Sequence, residues 1–113
     1  MNICFKTEKL RRECTEEKRM VRVHGPKRAE KLRRRLAQLK AAEFLADLAP
    51  PYSGPARCHE LTGDMNGLLS VDLDHPYRLL FRSADDPPAR RDDGGWDWAR
   101  IRAIEIVGIE DTH

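Results

Sequence analysis

Apolar residues follow two different spacings along this chain, and the change falls near Pro55. Before it they recur at helical intervals; after it they alternate. The first stretch, "NICF", is short, apolar and flanked by charge, which predicts an opening strand. From about Lys6 to Met20 the chain is polar, with Leu10, Cys14 and Val21 near helical spacing, which predicts a weakly amphipathic helix. Gly25 suits a helix end and Pro26 the first turn of the next helix. The segment "KRAEKLRRRLAQLKAAEFLADL" then sets Ala29, Leu32, Leu36 and Leu39 on one face, the mark of an amphipathic helix lying on a sheet. The prolines of "APPYSGPA" end it.

Beyond Pro55 the period is two. "RCHEL" predicts a strand, and the Asn66-Gly67 pair of "TGDMNG" predicts a hairpin, since both residues tolerate positive φ. "LLSVDLD" sets Leu69, Val71 and Leu73 against Ser70 and Asp72. After "HP", "YRLLFRS" sets Tyr77, Leu79 and Phe81 against Arg78, Leu80 and Arg82. Residues 83–99 form a long polar loop rich in Pro, Gly and Asp. The last run, "IRAIEIVGIED", is nearly continuous in apolar residues past Glu105, as in a central strand covered on both faces. The expected fold is α+β: an N-terminal strand, two helices, then an antiparallel meander, with the helices on one side of the sheet. No repeat divides the chain, so residues 1–113 are expected to form one domain.

Composition narrows the class. Of 113 residues, 40% are apolar and 35% charged, which fits a modest core under a well-solvated surface. No apolar run reaches the length of a membrane span, and the N-terminus lacks the basic-then-apolar order of a signal peptide. Cys4, Cys14 and Cys58 have neither zinc-site nor disulfide-framework spacing, so they are expected to be reduced thiols in a cytoplasmic protein. The charge is split. Residues 1–49 carry 14 Lys and Arg against 7 Asp and Glu, while residues 50–113 carry 7 against 12. Lys27, Arg28, Lys31, Arg33, Arg34, Arg35 and Lys40 crowd the polar faces of the long helix. They form a candidate surface for RNA or another polyanion, though a solvated helix face explains the same pattern.

No glycine-rich phosphate loop and no G-x-S-x-G elbow is present, and the histidines lack metal-ligand spacing, so no cofactor or metal is expected. Cys58 and His59 are neighbours, which sends them to opposite faces of a strand. The remaining candidates are His59, Arg78, Asp111 and His113. Histidine transfers protons near neutral pH because its ordinary pKa is about 6.5. Arginine offers a permanently charged planar fork for phosphate. A carboxylate can orient an imidazole or raise its pKa. Taken singly, each is more simply a surface residue.

Together, "RCHELTGDMNGLLSVDLDHPYRLLFR" resembles the "hxLkGdxxGxwSvxvxxxyRlxF" core of the RelE/ParE superfamily, and in particular the HigB-like killer proteins of bacterial toxin–antitoxin modules. The basic second helix, the proline-rich connection and the closing Asp-x-His extend the likeness over nearly the whole chain. The resemblance implies two helices against an antiparallel sheet. It implies an mRNA endoribonuclease acting in the ribosomal A site, with His59, Arg78, Asp111 and His113 as catalytic residues, and a cytoplasmic antitoxin partner of the HigA helix-turn-helix type. Thr112 stands where the family often has tyrosine, and a threonine cannot stack on a base. ParE-like relatives of the same fold inhibit DNA gyrase, and an inert antitoxin-binding relative is a third reading, because fold alone does not fix function.

Overall fold

A computed structural model describes residues 1–48 and 57–111. Strand β1 (Asn2–Phe5) leads into helices α1 (Glu8–Thr15), α2 (Glu17–His24) and α3 (Pro26–Ala41), followed by a 3-10 turn at Leu45–Leu48. Strands β2 (His59–Glu60), β3 (Leu69–Asp72), β4 (Tyr77–Ser83) and β5 (Ala103–Asp111) complete the order. The five strands form one sheet in the order β1-β5-β4-β3-β2. β1 runs parallel to β5, and all other pairings are antiparallel. β5 therefore lies inside the sheet, as its apolar run predicts.

The single helix expected over Lys6–Met20 is two helices. Glu16 leaves helical geometry at φ −89° and ψ 113°, directly after Thr15, whose hydroxyl donates back to Arg11 O at 2.7 Å. Such back-bonding competes with helix continuation. The break has a packing consequence. Cys14 and Met20 are both buried, yet six residues on one continuous helix would set them about 120° apart. α3 begins as expected, with Gly25 at φ +82° and Pro26 in the first turn. Ala29, Leu32 and Leu39 are fully buried against Leu69, Val71, Leu79, Phe81, Ile104 and Ile106 of the sheet. Leu36 is only half-buried, and the fourth inward position belongs to Arg35, which is 3% exposed.

The β2–β3 connection is a hairpin, but its turn differs from the expected pair of positive-φ residues. Asn66 sits at φ −55° and ψ 133°, Gly67 at φ +95°, and Leu68 N–H donates to Met65 O at 3.1 Å. That is a type II turn, which needs the glycine and not the asparagine. The polar loop over 83–99 is also more ordered than its composition suggests. Arg90 bridges to Trp96, Asp97 N–H donates to Ala89 O at 2.8 Å, and Ala89 and Trp96 are buried.

One irregularity sets which way the sheet's end faces. Leu80 pairs with Gly108, but Phe81 pairs with Ile106, so Val107 is an extra residue in β5. Bulges of this kind bend a strand and reverse its alternation. Ile104 and Ile106 face the helices before the bulge, and Ile109 shares that side after it.

Candidate functional site

Register assembles a polar row on the side of the sheet away from the helices. Asp72 on β3 opposes Arg78 on β4, which opposes Glu110 on β5. Two residues along, His59 opposes Ser70, Ser70 opposes Leu80 and Leu80 opposes Gly108. Directly opposed residues share a face. His59 and Arg78 are thus fixed on one side by backbone pairing alone. The sequence set Cys58 and His59 on opposite sides, and they are: Cys58 is 2% exposed in the core, and burial, helped by Glu60, pushes its thiol pKa up to about 12. A thiol so rarely ionised is no nucleophile.

An open depression of about 540 Å³ lies at this end of the sheet. Its lining includes His59, Arg78 and Asp111, together with Glu60, Thr62 and Asp64 of the hairpin. Asp111 comes to it from the rim. Its register partner is Tyr77, so alternation places it on the helix side of β5's last described position. His113 and Thr112 lie outside the described residues, as does the proline-rich connection over 49–56.

His59 Nδ1 is 2.8 Å from Arg57 O. A carbonyl only accepts, so Nδ1 carries the hydrogen, and in the neutral ring the lone pair is left on Nε2. Arg78 Nε lies 3.4 Å from Asp72 Oδ1, with the arginine side chain 14% exposed and the carboxylate 22%. Asp72 Oδ2 also lies 3.6 Å from Arg57 Nε. The arrangement offers a proton acceptor, a guanidinium group and a rim carboxylate around one cavity, with a second guanidinium, that of Arg57, on the carboxylate it shares with Arg78. Sequence reasoning missed Asp72 and Arg57. The first needed the β3–β4 register. The second depends on a left-handed backbone at φ +48°, which no spacing in the sequence announces.

The basic helix is less free than its composition implies. Arg35 is no surface cation: it is buried, its Nε donates to Asp72 O at 2.6 Å, and its Nη1 donates to Gln38 Oε1 at 3.2 Å. Burial, followed by the neighbouring Arg34, lowers its pKa, while Asp72 opposes that shift. Its inward position follows from the 100° step per residue, which sets it beside Leu32 and Leu39. Arg28 is tied to Asp74 at 3.0 Å and stacks 3.5 Å over the Tyr77 ring. Arg33 pairs with Glu17 at 2.6 Å and Arg34 with Glu30 at 2.9 Å. Lys27 and Lys40 are exposed and Lys31 is half-buried. None of these α3 cations lines the depression that holds His59.

A model of HigB-like toxins, described as RelE-like toxins of the type II toxin–antitoxin system HigB, matches residues 3–88. No curated protein matches the chain. Among solved structures, a chain of the YoeB–YefM complex from Staphylococcus aureus superposes with a TM-score of 0.56 at 15% identity, covering 100% of this chain and 98% of that one. At that identity the likeness concerns the fold.

Proposed function

This chain belongs to the HigB-like family of RelE-like toxins of type II toxin–antitoxin systems, and we propose that it is an endoribonuclease that cuts translated mRNA on the ribosome. The observation that carries the reading is the meeting of His59, Arg78 and Asp111 around one open cavity. His59 Nε2 takes the proton of a ribose 2′-hydroxyl. The freed oxygen attacks the adjacent phosphorus, and the bond to the 5′-oxygen breaks. His113, two residues past Asp111, is assigned as the acid that protonates the leaving oxygen, with Asp111 orienting it. Arg78 offsets the charge that grows on the phosphoryl oxygens, the kind of electrostatic support that weighs most in such reactions. The products are a 2′,3′-cyclic phosphate and a 5′-hydroxyl end.

The exposed Lys27 and Lys40, with the half-buried Lys31 and the half-exposed Arg33 and Arg34, serve in this reading as the ribosomal RNA surface, away from the cavity. Surface ion pairs such as Arg33–Glu17 are weak enough to be exchanged for phosphate. A cognate antitoxin, a small helix-turn-helix protein of the HigA type, holds the toxin in check in the cytoplasm. The solved neighbour is itself a complex with a second protein. No helix among the described residues is long and apolar enough to cross a membrane.

Primer extension on an abundant mRNA after induction is the test. Cuts confined to translated regions and absent from untranslated ones are expected. Intact mRNA with accumulating DNA breaks would move the assignment to gyrase inhibition. Growth arrest with neither lesion would remove both.

A further inference from the structure

Asp72 stands between two guanidinium groups on the site side of the sheet. Its Oδ1 is 3.4 Å from Arg78 Nε and its Oδ2 is 3.6 Å from Arg57 Nε. From below, its own carbonyl accepts the buried Arg35 Nε at 2.6 Å, which pins the backbone beneath the carboxylate. Arg57 is pinned as well. Its carbonyl is 2.8 Å from His59 Nδ1, and at φ +48° it is the one non-glycine residue with positive φ among the described residues. Such a backbone costs about 1–3 kcal/mol and persists where its surroundings enforce it, often at a working site.

We propose that Arg57 is a second RNA-phosphate-binding residue beside Arg78, held next to the cavity by the shared carboxylate of Asp72. The inference rests on the ribonuclease reading and extends its substrate contacts. Within this triad two cations against one carboxylate leave a net charge of +1, which a phosphodiester neutralises. At 3.6 Å the Arg57–Asp72 contact is held by charge and not by a directed hydrogen bond. With the Arg57 side chain 69% exposed, its terminal nitrogens remain accessible to the bidentate geometry that phosphate favours. Arg78, at 14% exposure, grips the reacting phosphate from within; Arg57 is placed to meet a neighbouring one on the strand. An ordinary exposed ion pair would need neither the left-handed backbone nor the bond from that same residue to His59.

The test is the binding of a fluorescently labelled single-stranded RNA to the full chain over a salt titration. Losing one phosphate contact to a single strand reduces the slope of log K against log salt by about 0.7. Arg57→Gln is expected to show that reduction with an unchanged thermal midpoint. Arg57→Lys, which keeps the charge, is expected to restore the wild-type slope while binding less tightly. A wild-type slope in Arg57→Gln, with the wild-type chain binding RNA normally, overturns this inference alone. A wild-type chain with no affinity for the RNA also overturns this inference, whereas failure of the ribonuclease reading itself is read separately, as uncut mRNA in the primer-extension test.

Discussion

Trp98 Nε1 donates to Glu60 Oε2 at 3.1 Å, which ties the 83–99 loop to the residue next to His59. Strand β2 is only two residues long, too short to hold its own register firmly. The same loop reaches the hairpin a second time, through Trp96 Nε1 to Gly67 O at 3.0 Å. Trp98→Phe keeps an aromatic ring, though a smaller one, and removes the donor. It is expected to cost under about 1 kcal/mol globally but to speed amide exchange at Leu61, whose N–H donates to Leu68 O. Exchange at Leu61 equal to wild type would show that the loop does not brace this strand.

Arg35→Ala separates a buried arginine from a nucleic-acid contact. The guanidinium bonds the Asp72 carbonyl from the core side, and hydrogen bonds to charged groups contribute about 1.5–3 kcal/mol. A loss of that order in urea unfolding is expected. Ribosome affinity measured on the remaining folded protein should keep its salt slope. A stable Arg35→Ala chain with a flattened slope would place the residue on the surface.

Leu39 and Leu36 test the register of α3. Leu39 is fully buried and Leu36 is not. Leu39→Ala is expected to cost about 2–5 kcal/mol, and Leu36→Ala roughly half as much or less, read as urea midpoints. Equal costs would rotate the helix.

His59→Ala and Arg78→Ala are expected to lower single-turnover mRNA cleavage by about 10²–10⁴-fold while leaving the far-ultraviolet spectrum unchanged. Removing residues 111–113 should act likewise, since Asp111 is exposed and takes little apolar area with it. Full cleavage by the truncated chain would exclude the C-terminal end from the chemistry.

His24 gives the stability a pH dependence of known sign. Burial, the largest cause, lowers its pKa from 6.5; the Glu13 carboxylate opposes this and Arg28 adds to it. The folded state therefore resists protonation at a site the unfolded chain protonates near pH 6.5. The contribution is present above that pH and is lost as pH falls through the lower folded value. The urea midpoint should drop as pH goes from about 7.5 to about 5.5, and His24→Gln should flatten that drop. An unaltered profile in the variant would assign the acid sensitivity to other groups.

Much of this architecture was legible as spacing. The central place of β5 followed from its nearly continuous apolar run past Glu105, and the start of α3 from Gly25-Pro26. What spacing could not give was pairing. Alternation marks Asp72 as polar-facing, but only the β3–β4 register makes it the partner of Arg78. Helical periodicity assigned Arg35 to a polar face because it is charged, although its angle lies close to that of Leu39. Composition made the 83–99 loop look solvated, and the signal against that was its two tryptophans, each of which found a buried or polar anchor.

The extra residue at Val107 works as a sign change within β5. Upstream, even-numbered residues look toward the helices; downstream, odd-numbered ones do. Pairing Val107 as a regular ladder residue opposite Leu80, with the bulge lost, would leave Ile104 and Ile106 in place and turn everything after them over. Glu110 would be driven toward the apolar side and Asp111 toward Arg78's side. One unpaired residue, four positions before Asp111, thus decides which carboxylate, Glu110 or Asp111, strand β5 presents on the side of Arg78. Alignments of this terminus with other chains are meaningful only when anchored downstream of that residue.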